Sequence, residues 1–171
     1  MKTKISLHLL QKNDIQPMVT AFAQIGWDKP ASQFQRYLAE QDAGKRVVLV
    51  AEIGGCFTGY VTILWESPYP FFWQQGIPEI VDFNVLPAYR RKGIGTQLMD
   101  EAEGRIAERS PIAGIGVGLT ADYGEAHILY IKRGYIPDGR GLIMDSQPLS
   151  YGDTVRLDDS LAIYFTKSLG L

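Results

Sequence analysis

The chain has 171 residues, enough for one domain on a soft prior of roughly 100–200 residues per domain. Hydrophobic residues make up 46% and charged residues 21%, which excludes a disordered tail, a collagen-like repeat and a polytopic membrane protein. Seventeen Lys+Arg against nineteen Asp+Glu leave a net charge of -2, so no global basic field points to nucleic acid or an anionic membrane. A lone Cys56 and two histidines, His8 and His127, provide neither a disulfide framework nor a Cys- or His-rich metal centre, and no metal is expected. The first apolar run stops at Gln11 with no small-residue cleavage site, and no window approaches about 18 consecutive apolar residues. These features predict a soluble cytoplasmic protein.

Residues 3–9 alternate with Ile5, Leu7 and Leu9 on one face, a first strand. Asn13 or Asp14 then caps a helix whose Ile15, Met18, Val19, Phe22 and Ala23 form one stripe, broken by Gly26 and Pro30. A second helix, opened by Ser32 with Gln35 at capping-box spacing, buries Phe34, Tyr37 and Leu38. Residues 46–53 are a β-branched run covered on both faces, and 57–65 are its hairpin partner across Gly54-Gly55. Residues 66–78, dense in aromatics and proline, read as a loop. Residues 79–86 form a buried strand ended by Pro87, and 94–109 a helix with Ile94, Leu98, Ala102 and Ile106 aligned. Residues 112–119 return as a strand whose Gly114, Gly116 and Gly118 ease close packing, and 123–133 form a helix closed by Gly134. Two more strands follow at 141–144 and 161–167. Front hairpins and central strand–helix–strand alternation imply one mixed α/β domain over residues 1–171.

The most informative segment is Arg90-Arg91-Lys92-Gly93-Ile94-Gly95-Thr96, where three cations precede two glycines at a helix start. First-turn N–H groups lack intrahelical partners, and the helix dipole and the cations add to their pull on an anion. A pyrophosphate suits such a turn. A P-loop is absent, and a dinucleotide fingerprint starting at Gly93 has Leu98 where the third glycine belongs.

The run VLPAYRRKGIGTQLMDEA resembles the acetyl-CoA-binding segment of the GNAT superfamily of N-acetyltransferases, whose signature [R/Q]-x-x-G-x-[G/A] is filled by Arg90, Gly93 and Gly95. Downstream, AHILYIKRGY over residues 126–135 is similar to the family's second signature, A-x-x-L-Y-x-x-x-G-[F/Y]. The match is closest over residues 79–135 and follows the element order of nearly the whole chain. One departure is Tyr123, where many members carry an asparagine against the pantetheine arm.

The resemblance implies an α/β fold with a largely antiparallel twisted sheet of about seven strands flanked by about four helices. It also implies acetyl-CoA as co-substrate and an amine acceptor that attacks the thioester directly. Phe83 and Val85 and the turn Arg90, Arg91, Lys92, Gly93, Ile94, Gly95 and Thr96 would hold the cofactor, with the Val85 N–H polarising the carbonyl beside a strand bulge that opens a cleft. Tyr130 takes the place of the general acid, and Glu79 or Asp82 that of the base.

For the acceptor, the aromatics Trp27, Tyr69, Phe71, Phe72, Trp73 and Tyr151, with Asp28 and Asp153, suggest a pocket with an acidic edge, or else packing of their loops. A small-molecule or peptide amine is the expected partner, with no nucleic acid or membrane, and the tail strands leave a homodimer open. Cys56 reads as a buried or hairpin residue and His127 has no evident role. The alternatives are a non-catalytic acyl-CoA sensor of the same fold and a nucleotide-phosphate binder.

Overall fold

The apolar patterning resolves into eight strands and five helices in a computed structural model that describes residues 4–170. In chain order these are β1 (Ile5–Leu9), α1 (Ile15–Gln24), α2 (Ala31–Asp42), β2 (Arg46–Ile53), β3 (Cys56–Leu64), α3 (Pro70–Gln75) and β4 (Glu79–Val85). There follow α4 (Ile94–Ala107), β5 (Ile112–Gly118), α5 (Gly124–Lys132), β6 (Ile136–Met144), β7 (Gln147–Pro148) and β8 (Leu161–Ser168). The hydrogen-bonded strand order is β1-β2-β3-β4-β5-β8-β6-β7. The β4–β5 neighbours are paired in parallel, at Glu79↔Gly114 and Ile80↔Ile115, whereas β1–β2, β2–β3, β5–β8, β6–β8 and β6–β7 run antiparallel. This is the mixed, largely antiparallel sheet expected, with one strand and one helix more than anticipated.

The chain divides into two compact units, residues up to Trp65 with Val81–Gly104, and Glu66–Ile80 with residues from Arg105 onward. Each has its own core. In the first, the α1 stripe delivers Ile15, Met18 and Phe22 against Phe34 and Tyr37 of α2 and Tyr60 of β3. The fully buried rings of Phe22, Phe34 and Tyr60 meet at 5.5–6.4 Å between centroids. Burying one such ring stabilises by about 1.5–3 kcal/mol, so this cluster anchors both helices. In the second unit, Tyr69, Phe72, Ile77 and Ile143 form one buried cluster, and Tyr164 of β8 stacks on Tyr69 at 3.9 Å.

The structure corrects the sequence reading in several places. The first strand begins at Ile5, its expected start at Thr3 lying outside the described residues, and Leu9 is exposed while Leu10 is buried. The α2 helix starts at Ala31 with Pro30 in the capping position and no side-chain cap, so Ser32 sits inside the helix rather than opening it. Residues 66–78 contain α3, a helix opened by Pro70 and closed by Gly76 in a left-handed conformation (φ 62°). Proline at the first position and glycine just past the end are its ordinary boundaries, which the aromatic density concealed. The strand expected at residues 141–144 begins at Ile136, because β6 interrupts its own ladder with β8 between Pro137 and Leu142.

The glycines of β5 do ease close packing. A Cβ at Gly114 would lie 2.2 Å from the Phe72 ring, at Gly116 2.8 Å from Tyr164, and at Gly118 2.5 Å from Tyr123. Three aromatic side chains thus lie where β5 carries no side chains of its own. Among the described residues, no helix is long and apolar enough to cross a membrane.

Gly114→Ala is therefore expected to lower stability by about 1–3 kcal/mol, since the fully buried Phe72 ring has no room to retreat. Gly104→Ala, in α4 with nothing within 4 Å of the added carbon, should instead raise stability by up to about 1 kcal/mol. Thermal melts of the two variants should shift in opposite directions.

Candidate active site

The turn that opens α4 lies in the first unit together with the end of β4. Arg91 (φ 61°) and Gly93 (φ 84°) are both left-handed, and this reverses the chain within four residues. The Gln97 N–H donates to the Gly93 carbonyl at 3.1 Å, which makes Gly93 the cap and leaves the N–H groups of Ile94, Gly95 and Thr96 as the first-turn donors. Ile94 is buried and anchors the helix, while Arg90 to Gly93 and Thr96 are exposed. Arg90 donates from Nε to the Val85 carbonyl at 3.1 Å, and Lys92 from Nζ to the Ala88 carbonyl at 3.0 Å.

Phe83 and Val85 come to the same place. A Cβ at Gly95 would stand 3.1 Å from Phe83 Cζ and 3.8 Å from Val85 Cγ2. The absence of a side chain at Gly95 keeps the helix head close to β4. First-turn donors, clustered cations and a glycine-bearing backbone fit the diphosphate of a coenzyme A ester. Trp27 stacks on Phe22 at 5.9 Å and lies 6.0 Å from the Arg90 guanidinium.

Upstream on β4, Asp82 is left-handed at φ 50°, a conformation that costs a non-glycine residue about 1–3 kcal/mol. Five side chains converge on its carboxylate. Lys29 Nζ and Asn84 Nδ2 donate to Oδ1, each at 2.8 Å. Gln33 Nε2 at 2.9 Å, the Tyr37 hydroxyl at 3.0 Å and the Tyr60 hydroxyl in a very short bond donate to Oδ2. Burial alone would raise the carboxyl, but the charge and hydrogen bond of Lys29 and the two tyrosine hydroxyls outweigh it and hold Asp82 below its ordinary value. Burial, followed by the Asp82 charge, pushes the Tyr37 hydroxyl up to about 12, and the same causes raise Tyr60.

In the second unit Glu79 is 4% exposed and accepts a hydrogen bond from Ser67 Oγ at 2.5 Å. Tyr130 on α5 is 5% exposed, and burial raises its hydroxyl well above the ordinary value, with the neighbouring Tyr123 adding to the shift. Tyr69 and Phe72 pack their loop down into the second core, whereas Trp73 and Tyr151 are exposed. His127, which the sequence left without a role, places Nε2 at 2.8 Å from the Gly118 carbonyl. Cys56 is exposed at the start of β3. One grouping was not apparent in the sequence: His8, Asp14 and Glu52 bring ligand-type atoms within 4.8 Å of one another, with His8 and Asp14 already paired at 3.0 Å.

A cationic, glycine-bearing turn between a strand and a helix head defines the class of site that holds a phosphorylated cofactor. A sequence model of the acetyltransferase (GNAT) family matches residues 13–135, and the chain belongs to that family. Its fold is shared with an N-acetyltransferase from Staphylococcus aureus Mu50 at TM-score 0.71 and 16% identity, covering 98% of this chain and 100% of the other. A ribosomal-protein-alanine N-acetyltransferase from Brucella melitensis superposes at TM-score 0.69 and 17% identity over 95% and 99% of the two chains. A Salmonella typhimurium protein provisionally classed as an acetyltransferase, solved with its cofactor acetyl-CoA, matches at TM-score 0.66 and 18% identity over 97% and 94%. At these identities the likeness is one of fold. No curated protein sequence matches the chain.

Asp82→Asn should cost about 3 kcal/mol by leaving Lys29 without its charge partner. Because the folded-state pKa is lowered, the carboxylate's contribution is complete above the unfolded value of about 3.9 and is lost as pH falls through the folded value. Urea unfolding should therefore show the full gap between wild type and variant at pH 6, and a narrowed gap at pH 3. Tyr37 acts at the other end: its protonated form stabilises the fold below pH 10, and that contribution fades as pH rises through about 12.

Proposed function

We propose that the chain transfers the acetyl group of acetyl-CoA to an amine acceptor by direct attack on the thioester. The observation that carries this reading is the turn at the head of α4, where the exposed Arg90, Arg91 and Lys92 precede the first-turn N–H groups of Ile94, Gly95 and Thr96, and Gly95 packs against Phe83 and Val85. Acetyl-CoA supplies the activated acyl group. The turn binds its diphosphate through the Ile94, Gly95 and Thr96 N–H groups, while Phe83 and Val85 offer apolar surface to the arm and the Val85 N–H polarises the acyl oxygen.

Tyr130 serves as the proton donor to the leaving sulfur. Its raised pKa keeps the hydroxyl protonated throughout the neutral range, so the donor is present whenever the acceptor amine is free to attack. The base is Glu79 rather than Asp82. Five donors and a lowered pKa make Asp82 a weak proton acceptor, and its neighbours suit it to holding the strand. Glu79 is buried, and its charge raises the Tyr164 hydroxyl, although burial is the larger cause there.

Calorimetry with CoA and a thiol-release assay with acetyl-CoA and an amine panel test the reading together. Acceptor-dependent thiol release is expected, and Tyr130→Phe should lower kcat by about 10²–10⁴-fold with the melting temperature and CoA affinity kept. Full turnover in Tyr130→Phe would remove its role as acid. Tight CoA binding without acceptor-dependent release would make the protein an acyl-CoA sensor, and competition by ATP or NAD but not by CoA would make it a nucleotide binder.

A further inference from the structure

The second unit carries a cleft of about 400 Å³ whose walls include Tyr69, Phe71, Arg140, Ile143, Ser146 and Pro148. That volume suits a small organic molecule. Its construction is specific. The β6–β8 ladder is interrupted between Pro137 and Leu142, and the intervening residues form an arch with Gly139 (φ 82°) and Gly141 (φ 73°) left-handed. Asp138 pins the arch, accepting from the Tyr69 hydroxyl and from the Arg140 backbone N–H, both at 2.9 Å. The Arg140 guanidinium then lies over the Phe71 ring, its Cζ 3.6 Å from the ring centroid.

The ring holds the guanidinium in place, and among the described residues no carboxylate lies within 4.0 Å to pair with it. Arg140 is the only charged residue among those lining the cleft; the remaining wall is aromatic, aliphatic or neutral polar. Ser146 (φ 65°), which lines the cleft, follows Asp145 (φ 48°) in the two-residue turn between β6 and β7. The wall is also linked to Glu79: Ser67 Oγ donates to Glu79 and accepts the Tyr69 N–H at 3.0 Å, and Tyr164 stacks on Tyr69.

We infer that this cleft receives the acceptor, and that the acceptor is a small amine bearing a carboxylate, an amino acid with an apolar side chain, whose carboxylate is forked by Arg140. The inference rests on the acetyltransferase reading. A single planar guanidinium matches a carboxylate in two parallel hydrogen bonds, whereas a phosphate dianion would call for further cations. Tyr69, Phe71, Ile143 and Pro148 provide the apolar wall for the side chain.

The test compares L-phenylalanine, L-methionine and L-leucine with their primary amides as acceptors, in wild type and in Arg140→Gln. The readout is the acid-to-amide ratio of kcat/KM, divided between the two proteins so that the differing basicity of the amines cancels. Loss of a charge-assisted forked contact should reduce that ratio about 10–100-fold. A parallel titration, independent of turnover, measures binding of N-acetyl-L-phenylalanine and N-acetyl-L-phenylalaninamide to both proteins in the presence of CoA, with the acid expected to bind more tightly only in wild type. An unchanged ratio in Arg140→Gln, or wild-type binding of the acid no tighter than that of the amide, overturns the assignment. Affinity for CoA is measured on the same samples. Its loss in wild type would undo the acetyltransferase reading, whereas carboxylate discrimination reports on the cleft alone.

Discussion

The constraint on which the first unit depends is a carboxylate in the wrong place for an ordinary strand residue. Asp82 sits in β4 at positive φ, which a non-glycine residue adopts only when its surroundings compensate. The compensation comes from four elements: Lys29 before α2, Gln33 and Tyr37 on α2, Tyr60 on β3 and Asn84 two residues along β4. Lys29 also lies 5.6 Å from the rings of Phe22 and Tyr60, so the ion pair caps the aromatic core. One side chain thus ties the helical layer to the strand that leads into the turn at the head of α4. Removing it would free the strand and leave a cation over an apolar cluster.

Below that anchor, the turn at the head of α4 shows how far local charge can depart from the average in a nearly neutral protein. A net charge of -2 averages over the whole chain, yet Arg90, Arg91 and Lys92 stand together at a helix N-terminus. Backbone donors and the helix dipole act over a few ångströms, and a short cationic run reinforces them there without creating an extended basic surface. Phe83 over Gly95 keeps the helix head close to β4, so the donors are placed by packing as well as by the glycine turn itself.

In the second unit the organising device is complementary packing of glycines and rings. Gly114, Gly116 and Gly118 leave one face of β5 bare, and Phe72, Tyr164 and Tyr123 fill it. Tyr69 then stacks on Tyr164 and passes its hydroxyl to Asp138, which positions the arch that carries Arg140. A pattern of small residues in one strand is thereby connected through two stacked rings to the wall of the cleft.

Much of this was legible in the linear chain because the signals are local. The stripe of Ile94, Leu98, Ala102 and Ile106, the β-branched run of β2 and the cation-glycine turn all depend on spacing within a few residues, and the structure places each of them as the spacing predicts. The two signatures around Arg90 and Tyr130 likewise indicated the family. What the sequence could not specify is which side chains meet Asp82, since Lys29, Tyr37 and Tyr60 lie 53, 45 and 22 residues away and nothing in their spacing marks them as partners. The arch of β6 and the helix α3 were hidden for a related reason: a strand that leaves its ladder and a short helix stabilised by burying Phe72 owe their form to what packs against them. Local periodicity and backbone freedom belong to the sequence, whereas hydrogen-bond partners and buried surfaces exist only once distant segments have been brought together.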